Sequence, residues 1–247
     1  MILAMLLAHL VGDYILQWDN LSRWKSEKIG GVLVHGLIVT LVTLLFALPF
    51  DPSWWPWAIF IGVSHTTIDL LELPLKRRMV TDCSGQKALS LFLTDQLAHL
   101  MVIALALTWS GYLSTSAPFD DLAAAASANP LLTIAVAYAF LTMPAWIIIK
   151  FFVHGLVNDT APDFSLAFGS KYFGIVERSI IATLILLGQF LLLPLVALPR
   201  LIFEWPQAAS TTLSDPRTAR RRNIIYLAEL VVSIALAVAI GFGLRNL

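Results

Sequence analysis

Three histidine–aspartate pairs, each spaced four residues apart, lie inside apolar stretches of this 247-residue chain. The pairs are His9 with Asp13, His65 with Asp69, and Asp95 with His99. Because residues four apart share one face of an α-helix, each pair is expected to present an imidazole beside a carboxylate. An ionisable group in the bilayer centre costs at least ~2.5–3.5 kcal/mol on insertion scales, so such groups need a partner or a function.

A further histidine, His35, stands in another apolar stretch and precedes Gly36, a residue that lets helices approach closely. Four consecutive helices with imidazole or carboxylate groups predict a bundle with a shared polar centre, which is a recurrent way to build a metal site. These ligands suit zinc, manganese or iron, and the lack of a thiolate argues against copper(I) and iron–sulfur clusters. An ion with an open position could activate water or polarise a carbonyl or phosphoryl oxygen.

The predicted metal ligands come from seven side chains: His9, Asp13, His35, His65, Asp69, Asp95 and His99. Asp13, Asp69 and Asp95 are also candidate catalytic groups, because an aspartate that is not a ligand could act as general base toward bound water. His35 is either a fourth nitrogen ligand or an acid. Alternatively, the aspartates only hydrogen-bond neighbouring groups and stabilise the bundle. Interhelical polar contacts in membranes contribute only ~0.6–2 kcal/mol, which favours a metal or proton-handling site.

The composition is that of an integral membrane protein, with 58% hydrophobic and 13% charged residues. Lysine plus arginine equals aspartate plus glutamate at 16 each, so the charge balance does not indicate a nucleic-acid partner. The single cysteine, Cys83, rules out an intramolecular disulfide framework. The chain is apolar from Met1 without a basic leader, so we expect an uncleaved first helix rather than a signal peptide.

About 20 apolar residues are needed for one spanning helix, and by this measure the chain is all-α with about seven spans. The predicted spans are Met1–Gln17, Val32–Leu48, Trp54–Leu73, Ala88–Trp109, Leu131–Phe152, Tyr172–Trp205 and Ile224–Leu244. The sixth would be roughly 50 Å long as one helix, so Pro194 and Pro199 are expected to break it, and an eighth span is possible.

Basic loops set the predicted orientation. Loops one and three carry the cations Arg23, Lys25, Lys28, Lys76, Arg77, Arg78 and Lys87, which places both loops in the cytoplasm and the N-terminus outside. Each aspartate of the three pairs then lies toward the cytoplasm and its histidine lies deeper. The predicted organisation is a membrane bundle over residues 1–205, with the site in residues 1–110, a basic loop over 206–222 and an additional membrane helix over 223–247.

Several motifs, in order, carry a family resemblance: HLVGDYILQ at residues 9–17, HG at 35–36, HxxxD at 65–69, FLTDQLAH at 92–99 and GIVER at 174–178. Together they resemble a bacterial inner-membrane family of uncharacterised function, over roughly residues 1 to 200. In style they are also similar to the motifs of membrane-bound metal-dependent hydrolases. The resemblance implies a multi-pass protein of the bacterial cytoplasmic membrane.

The expected function is therefore a metal-dependent membrane hydrolase that holds a divalent ion, with zinc preferred and manganese or iron as alternatives. The site's cytoplasmic depth suggests a lipid-linked or amphipathic substrate. One alternative is a proton-coupled transporter that uses the histidine–aspartate pairs as a relay. Another is a non-enzymatic accessory subunit of a larger membrane complex. The expected partners are the lipid bilayer and, for an accessory role, other membrane-protein subunits.

Overall fold

The computed structural model describes residues 1–79, 84–157, 161–162, 164, 168–210 and 216–247, and all regular structure in these ranges is helical. The predicted all-α class is therefore confirmed. Cys83 lies outside the described residues, and only the helical backbone is described for residues 76–79. The chain divides into two compact units: unit one is Met1–Asp82 with Leu91–Ala139, and unit two is Cys83–Ser90 with Phe140–Leu247.

Unit one is built from the helices that carry the candidate site. These are α1 (Ile2–His9), α2 (Asp19–Glu27), α3 (Ile29–Ala47), α4 (Trp55–Met79), most of α5 (Gly85–Trp109), α6 (Pro118–Ala128) and the greater part of α7 (Pro130–Leu141). A π-helical turn, Leu10–Ile15, directly continues α1. The core packs apolar side chains such as Met5, Val42, Ile61 and Ile103 from four of these elements.

Helices α3 and α4 pack closely because each has a glycine opposite a threonine of the other. A side chain at Gly36 would collide with Thr66, and one at Gly62 would collide with Thr40. The absence of a Cβ on each glycine lets the two backbones approach, as small residues do at helix interfaces in membranes. This reciprocal contact brings the histidine of α3 beside that of α4.

Unit two contains α8 (Met143–Leu156), α9 (Phe168–Leu186), α10 (Leu193–Ser210) and α11 (Pro216–Arg245). Among the side chains of unit two that the structure describes, the most deeply buried cation is Arg178, which is 2% exposed. The Arg178 guanidinium donates to the carbonyl oxygens of Leu141 and Thr142 at 2.9 and 3.1 Å and to Ser233 Oγ at 3.2 Å. It therefore brings a charged donor to the two carbonyl groups at the junction of α7 and α8.

In the part of the chain that the structure describes, four helices are long and apolar enough to cross a membrane: Ile29–Ala47, Pro52–Leu75, Gly85–Trp109 and Arg220–Arg245. The pair α6 and α7, bent by 107°, makes a fifth if it is counted as one span. Shorter apolar helices cover Ile2–Ile15, Met143–Leu156 and Phe190–Arg200. The chain is thus compatible with a membrane protein, and the count of seven spans is not confirmed.

Three predicted spans are not among the four: the first is a shorter apolar helix, Ile2–Ile15, and the fifth and sixth are interrupted. The fifth breaks at Thr142, just before Pro144, which lacks an amide hydrogen for the preceding turn. The sixth breaks at Gly188, whose φ of 74° favours glycine, and the break therefore lies ahead of the expected breakers Pro194 and Pro199. Residues 206–210 and 216–222, expected in a basic loop, are helical, since arginine and alanine are good helix formers.

Candidate metal centre

Helices α1, α3, α4 and α5, with the π-helical turn, bring the predicted site residues together in unit one. None of the seven is more than 8% exposed: His9, Asp13, His35, His65, Asp69, Asp95 and His99. Burial of so many ionisable groups requires compensation by hydrogen bonds, opposite charges or a bound ion. The contacts below show where that compensation is present.

Asp13 faces α3 rather than pairing along its own helix. Its Oδ1 lies 3.0 Å from Nε2 of His35 and 3.8 Å from Nε2 of His65. The reason is the π-helical turn after His9, in which the amide of Leu16 bonds to the carbonyl of Val11 five residues earlier. Because the turn is wider than an α-turn, the expected spacing of four residues does not set the direction of Asp13.

The imidazoles of α3 and α4 meet directly. Nε2 of His35 lies 3.0 Å from Nε2 of His65, and the ring centres are 5.1 Å apart. Two ring nitrogens at this distance need a proton or a cation between them, because two lone pairs would repel. His35 is fully buried, so this contact is shielded from solvent.

The other two histidine–aspartate pairs have the expected contacts within a helix. On α4, Nε2 of His65 lies 3.3 Å from Oδ2 of Asp69. On α5, Nδ1 of His99 lies 3.4 Å from Oδ1 of Asp95 and 2.8 Å from the Asp95 backbone carbonyl. A carbonyl oxygen only accepts, so Nδ1 of His99 carries the hydrogen and, in the neutral ring, Nε2 keeps a lone pair.

That Nε2 atom of His99 is buried and has no hydrogen-bond partner among the described residues. His99 also lines a small cavity with room for about one water molecule. His9 and His65 line the same cavity, whose remaining walls are Met5, Val39, Thr43, Ile61, Val102 and Ile103. The His99 ring centre is 4.1 Å from that of His65 and 6.0 Å from that of His9. Three imidazoles therefore border one small, largely apolar space.

Among the described residues, three overlapping groups of side chains could hold a metal ion. The groups are Asp13, His35 and His65; His65, Asp69 and His99; and Asp69, Glu72 and Asp95, with the ligand atoms of each group within 4.8 Å of one another. In the first group the three separations are 3.0, 3.0 and 3.8 Å. Ligands ~2.0–2.1 Å from a tetrahedral ion lie ~3.3–3.4 Å apart, so these values bracket the expected spacing. His9 belongs to none of the three groups.

Two residues at the centre were missed as site residues. Lys25 was interpreted only as a marker of a cytoplasmic loop, yet its Nζ lies 2.8 Å from Oδ2 of Asp69. Glu72 is 8% exposed and belongs to the third donor group. Its position three residues after Asp69 on the same helix face was the available signal. The sequence signal for Lys25 is weaker, since only the folded chain shows that α2 packs beside the site.

A glutamine and a tyrosine complete the surroundings of the carboxylates. The side-chain amide of Gln96 donates to Oδ2 of Asp95 at 3.2 Å and to Oδ2 of Asp13 at 3.4 Å. The hydroxyl of Tyr14 donates to the amide oxygen of the same glutamine. Gln96 thus links the carboxylates of α5 and the π-helical turn.

Comparison with known proteins agrees with the expected type of family. Residues 1–124 match the family described as "Protein of unknown function (DUF3307)". The chain belongs to this family. The matched part contains every candidate ligand, whereas the GIVER element at 174–178 lies beyond it, so the match is shorter than the expected extent of about 200 residues. No curated protein and no solved structure matches the chain.

Proposed function

We propose that this DUF3307 protein is a metal-dependent membrane hydrolase that holds one divalent ion on His65, Asp69 and His99. The observation that carries the proposal is the buried Nε2 atom of His99, which has a lone pair and no hydrogen-bond partner among the described residues. A histidine that ligates a metal usually donates its other ring N–H to a carbonyl or carboxylate, and His99 does so to Asp95. Its geometry is that of a prepared ligand.

The ligand set supports a catalytic rather than a structural ion. Two imidazoles and one carboxylate, with a fourth position left open, are typical of zinc hydrolases. The cavity bordered by His65 and His99 is the natural place for that open position. When bound, the ion would supply Lewis acidity toward a carbonyl or phosphoryl oxygen and activate water. Zinc is our first choice, with manganese and iron as alternatives.

The remaining polar residues have roles around this ion. Asp13 or Asp95 would accept the proton of the attacking water as general base. His35, 3.0 Å from both Asp13 and His65, would hold the two in position and could return a proton as an acid. Gln96 would fix the orientation of both aspartates through its amide hydrogens.

We further propose a lipid-linked or amphipathic substrate, because His35, His65 and His99 lie on helices that are apolar enough to cross a membrane. The cations of the first loop favour a cytoplasmic position for that loop, with the N-terminus outside and the chain in a bacterial inner membrane. Lipids are then the immediate partner, and other membrane subunits are a further possibility. Seven spans would result if Ile2–Ile15 and one shorter helix of unit two joined the five longer candidates.

A proton relay is the second candidate function, and one observation favours it. Contacts of 3.0, 3.0 and 3.3 Å run continuously from Asp13 through His35 and His65 to Asp69. Protons can pass along such a series of donors and acceptors, as they do in intramembrane relays of transporters. The relay needs no metal ion, so metal content separates the two functions.

Elemental analysis of detergent-purified protein tests the metal. We expect about one zinc, manganese or iron ion per chain in the wild type, and loss of that ion in His99→Ala and His65→Ala. His154→Ala is the matched control, because this histidine lies in unit two and is expected to leave the metal content unchanged. Metal-free wild-type protein after growth and purification with added zinc would refute the metal centre and favour the relay.

A second assay tests the hydrolase itself. Chromogenic acyl and phosphoryl esters in mixed micelles should be cleaved by the zinc-loaded protein, and cleavage should stop on chelation and return with zinc. A protein that binds stoichiometric zinc but cleaves neither ester class would overturn the enzymatic proposal and leave the metal site standing.

A further inference from the structure

Helix α2 has two side chains that are largely shielded from solvent. Seven of its nine residues are exposed, whereas Leu21 is 2% exposed and the Lys25 side chain is 13% exposed. These two residues are four apart and therefore share a face. The exposed indoles of Trp18 and Trp24 lie at or beside this polar helix, as is typical of a segment at a membrane surface. One lysine of this helix thus reaches inward while its other charged groups face outward.

The inward ammonium group lies between two of the candidate ligand carboxylates. Lys25 Nζ is 2.8 Å from Oδ2 of Asp69 and 3.8 Å from Oδ1 of Asp13. It also donates to the side-chain oxygen of Gln17 at 3.2 Å. The Asp69 side chain is 0% exposed and that of Asp13 is 6% exposed, so both carboxylates are shielded from solvent beside this cation.

The same Asp69 oxygen would be needed by a metal ion. Oδ2 of Asp69 lies 3.3 Å from Nε2 of His65 and 3.7 Å from Nε2 of His35, as well as 2.8 Å from the ammonium group. An ion ~2.0–2.2 Å from this oxygen would lie next to the ammonium nitrogen. Two cations so close repel strongly where the local dielectric constant is low, so ion and ammonium compete for one position.

We propose that Lys25 determines the ion specificity of the cation site. Its ammonium group neutralises Asp13 and Asp69 and is displaced only by a divalent ion. This inference rests on the proposed metal centre. A monovalent ion brings the same charge as the ammonium group, which has the added advantage of being tethered at high effective concentration. A divalent ion brings twice the charge and can also use the imidazole ligands.

Displacement would involve the Lys25 side chain and leave helix α2 in place. The backbone of α2 at Trp24 and Lys25 packs directly against Gly31 at the start of α3, where no Cβ could be added without a collision. This contact fixes the end of α2. The long, flexible lysine side chain can turn outward by rotation about its own bonds, toward the exposed side of the helix.

Zinc affinity in detergent micelles tests the competition. Lys25→Met keeps most of the side-chain volume and removes the charge, so its zinc Kd should be at least ~10-fold lower than that of the wild type. Lys28→Met is the matched control, because Lys28 is exposed, and its Kd should equal the wild-type value. At constant ionic strength, replacing N-methylglucamine with potassium should weaken zinc binding to Lys25→Met and leave the zinc Kd of the wild type unchanged.

Amine labelling of the wild type tests displacement without a substitution. Acetylation followed by mass spectrometry should modify Lys25 slowly in metal-free protein and at least ~5-fold faster at saturating zinc, because the ammonium group leaves its partly buried position. Lys28 should react equally in both states. This measurement keeps the inference testable if Lys25→Met does not fold.

The outcomes separate the two proposals. An unchanged or higher zinc Kd for Lys25→Met, or protection of Lys25 from acetylation at saturating zinc, would overturn the inference. The metal centre would still be supported in that case if the wild type binds zinc and His99→Ala does not. Zinc binding by Lys25→Met but not by the wild type would overturn the inference, because the ammonium group would then not give way to a divalent ion. If neither the wild type nor Lys25→Met binds zinc, both proposals are wrong.

Discussion

Close packing of α3 on α4 at Gly36 should control both the stability of unit one and the spacing of its histidines. In Gly36→Ala the new methyl group collides with Thr66 Oγ1 and lies only 3.0 Å from Thr66 Cβ. Thr66 is β-branched and its hydroxyl donates to the carbonyl of Gly62 at 2.8 Å, so rotating it away loses that bond. The alternative is separation of the two helices.

Both routes have a calculable cost. Loss of the hydrogen bond costs ~0.5–1.5 kcal/mol and overpacking costs ~1–3 kcal/mol, so we expect Gly36→Ala to lower the free energy of unfolding by about 2 kcal/mol. Separation would also lengthen the 3.0 Å contact between His35 and His65 and weaken zinc binding. Thr66→Ala removes Oγ1 and Cγ2 and leaves only the 3.0 Å approach to Cβ, so the double variant should recover more than half of the loss.

The assay is reversible denaturation of the micellar protein by sodium dodecyl sulfate, followed by circular dichroism, for the wild type, both single variants and the double variant. A zinc titration on the same four proteins reports the histidine spacing. If Gly36→Ala is as stable as the wild type, or if Thr66→Ala brings no recovery, the close-packing argument is refuted. Recovery of stability without recovery of zinc affinity would show that the histidine spacing does not depend on this contact.

Two further predictions concern groups outside the centre. Arg178→Gln should lower the free energy of unfolding by ~2–4 kcal/mol in the same assay, because buried carbonyl groups lose a charged donor, whereas exposed Arg220→Gln should change it by less than ~0.5 kcal/mol. Hydrogen bonds from the Ser53 and Tyr112 hydroxyl groups lower the pKa of Asp51, which is partly exposed, so Tyr112→Phe should raise that pKa toward its usual value in a carboxyl NMR titration. The stability that Asp51 contributes is present above its unfolded-state pKa and is lost as pH falls through the lowered folded-state value, and an unchanged titration in Tyr112→Phe would contradict this account.

The parts of the site that follow from helical periodicity could be predicted from the sequence. His65 with Asp69, and Asp95 with His99, lie on regular α-helices, so a spacing of four residues brings each pair together. Asp13 could not be placed in this way, because a π-helical turn changes the spacing after His9 and directs the carboxylate to α3. A pattern of residue types contains no signal for that change of helix geometry.

Lys25 shows a different limit of sequence reasoning. Its position after an apolar stretch indicates a cytoplasmic loop. The positive charge that indicates this loop also allows the lysine side chain to pair with buried carboxylates. The choice depends on a tertiary contact between α2 and Gly31, which no local pattern specifies. Likewise, the break at Gly188 depends on a positive φ, whereas Pro194 and Pro199 are accommodated within α10.

The overlap of the donor groups limits how many ions the centre can hold. His65 belongs to two groups, and its Nε2 atom makes both the contact to His35 and the contact to Asp69. One nitrogen lone pair binds one ion, so occupation of either group withdraws this ligand atom from the other. We therefore expect one tightly bound ion per chain at saturation, and a metal titration that reaches two tight sites would show that the imidazole and carboxylate groups rearrange into separate centres.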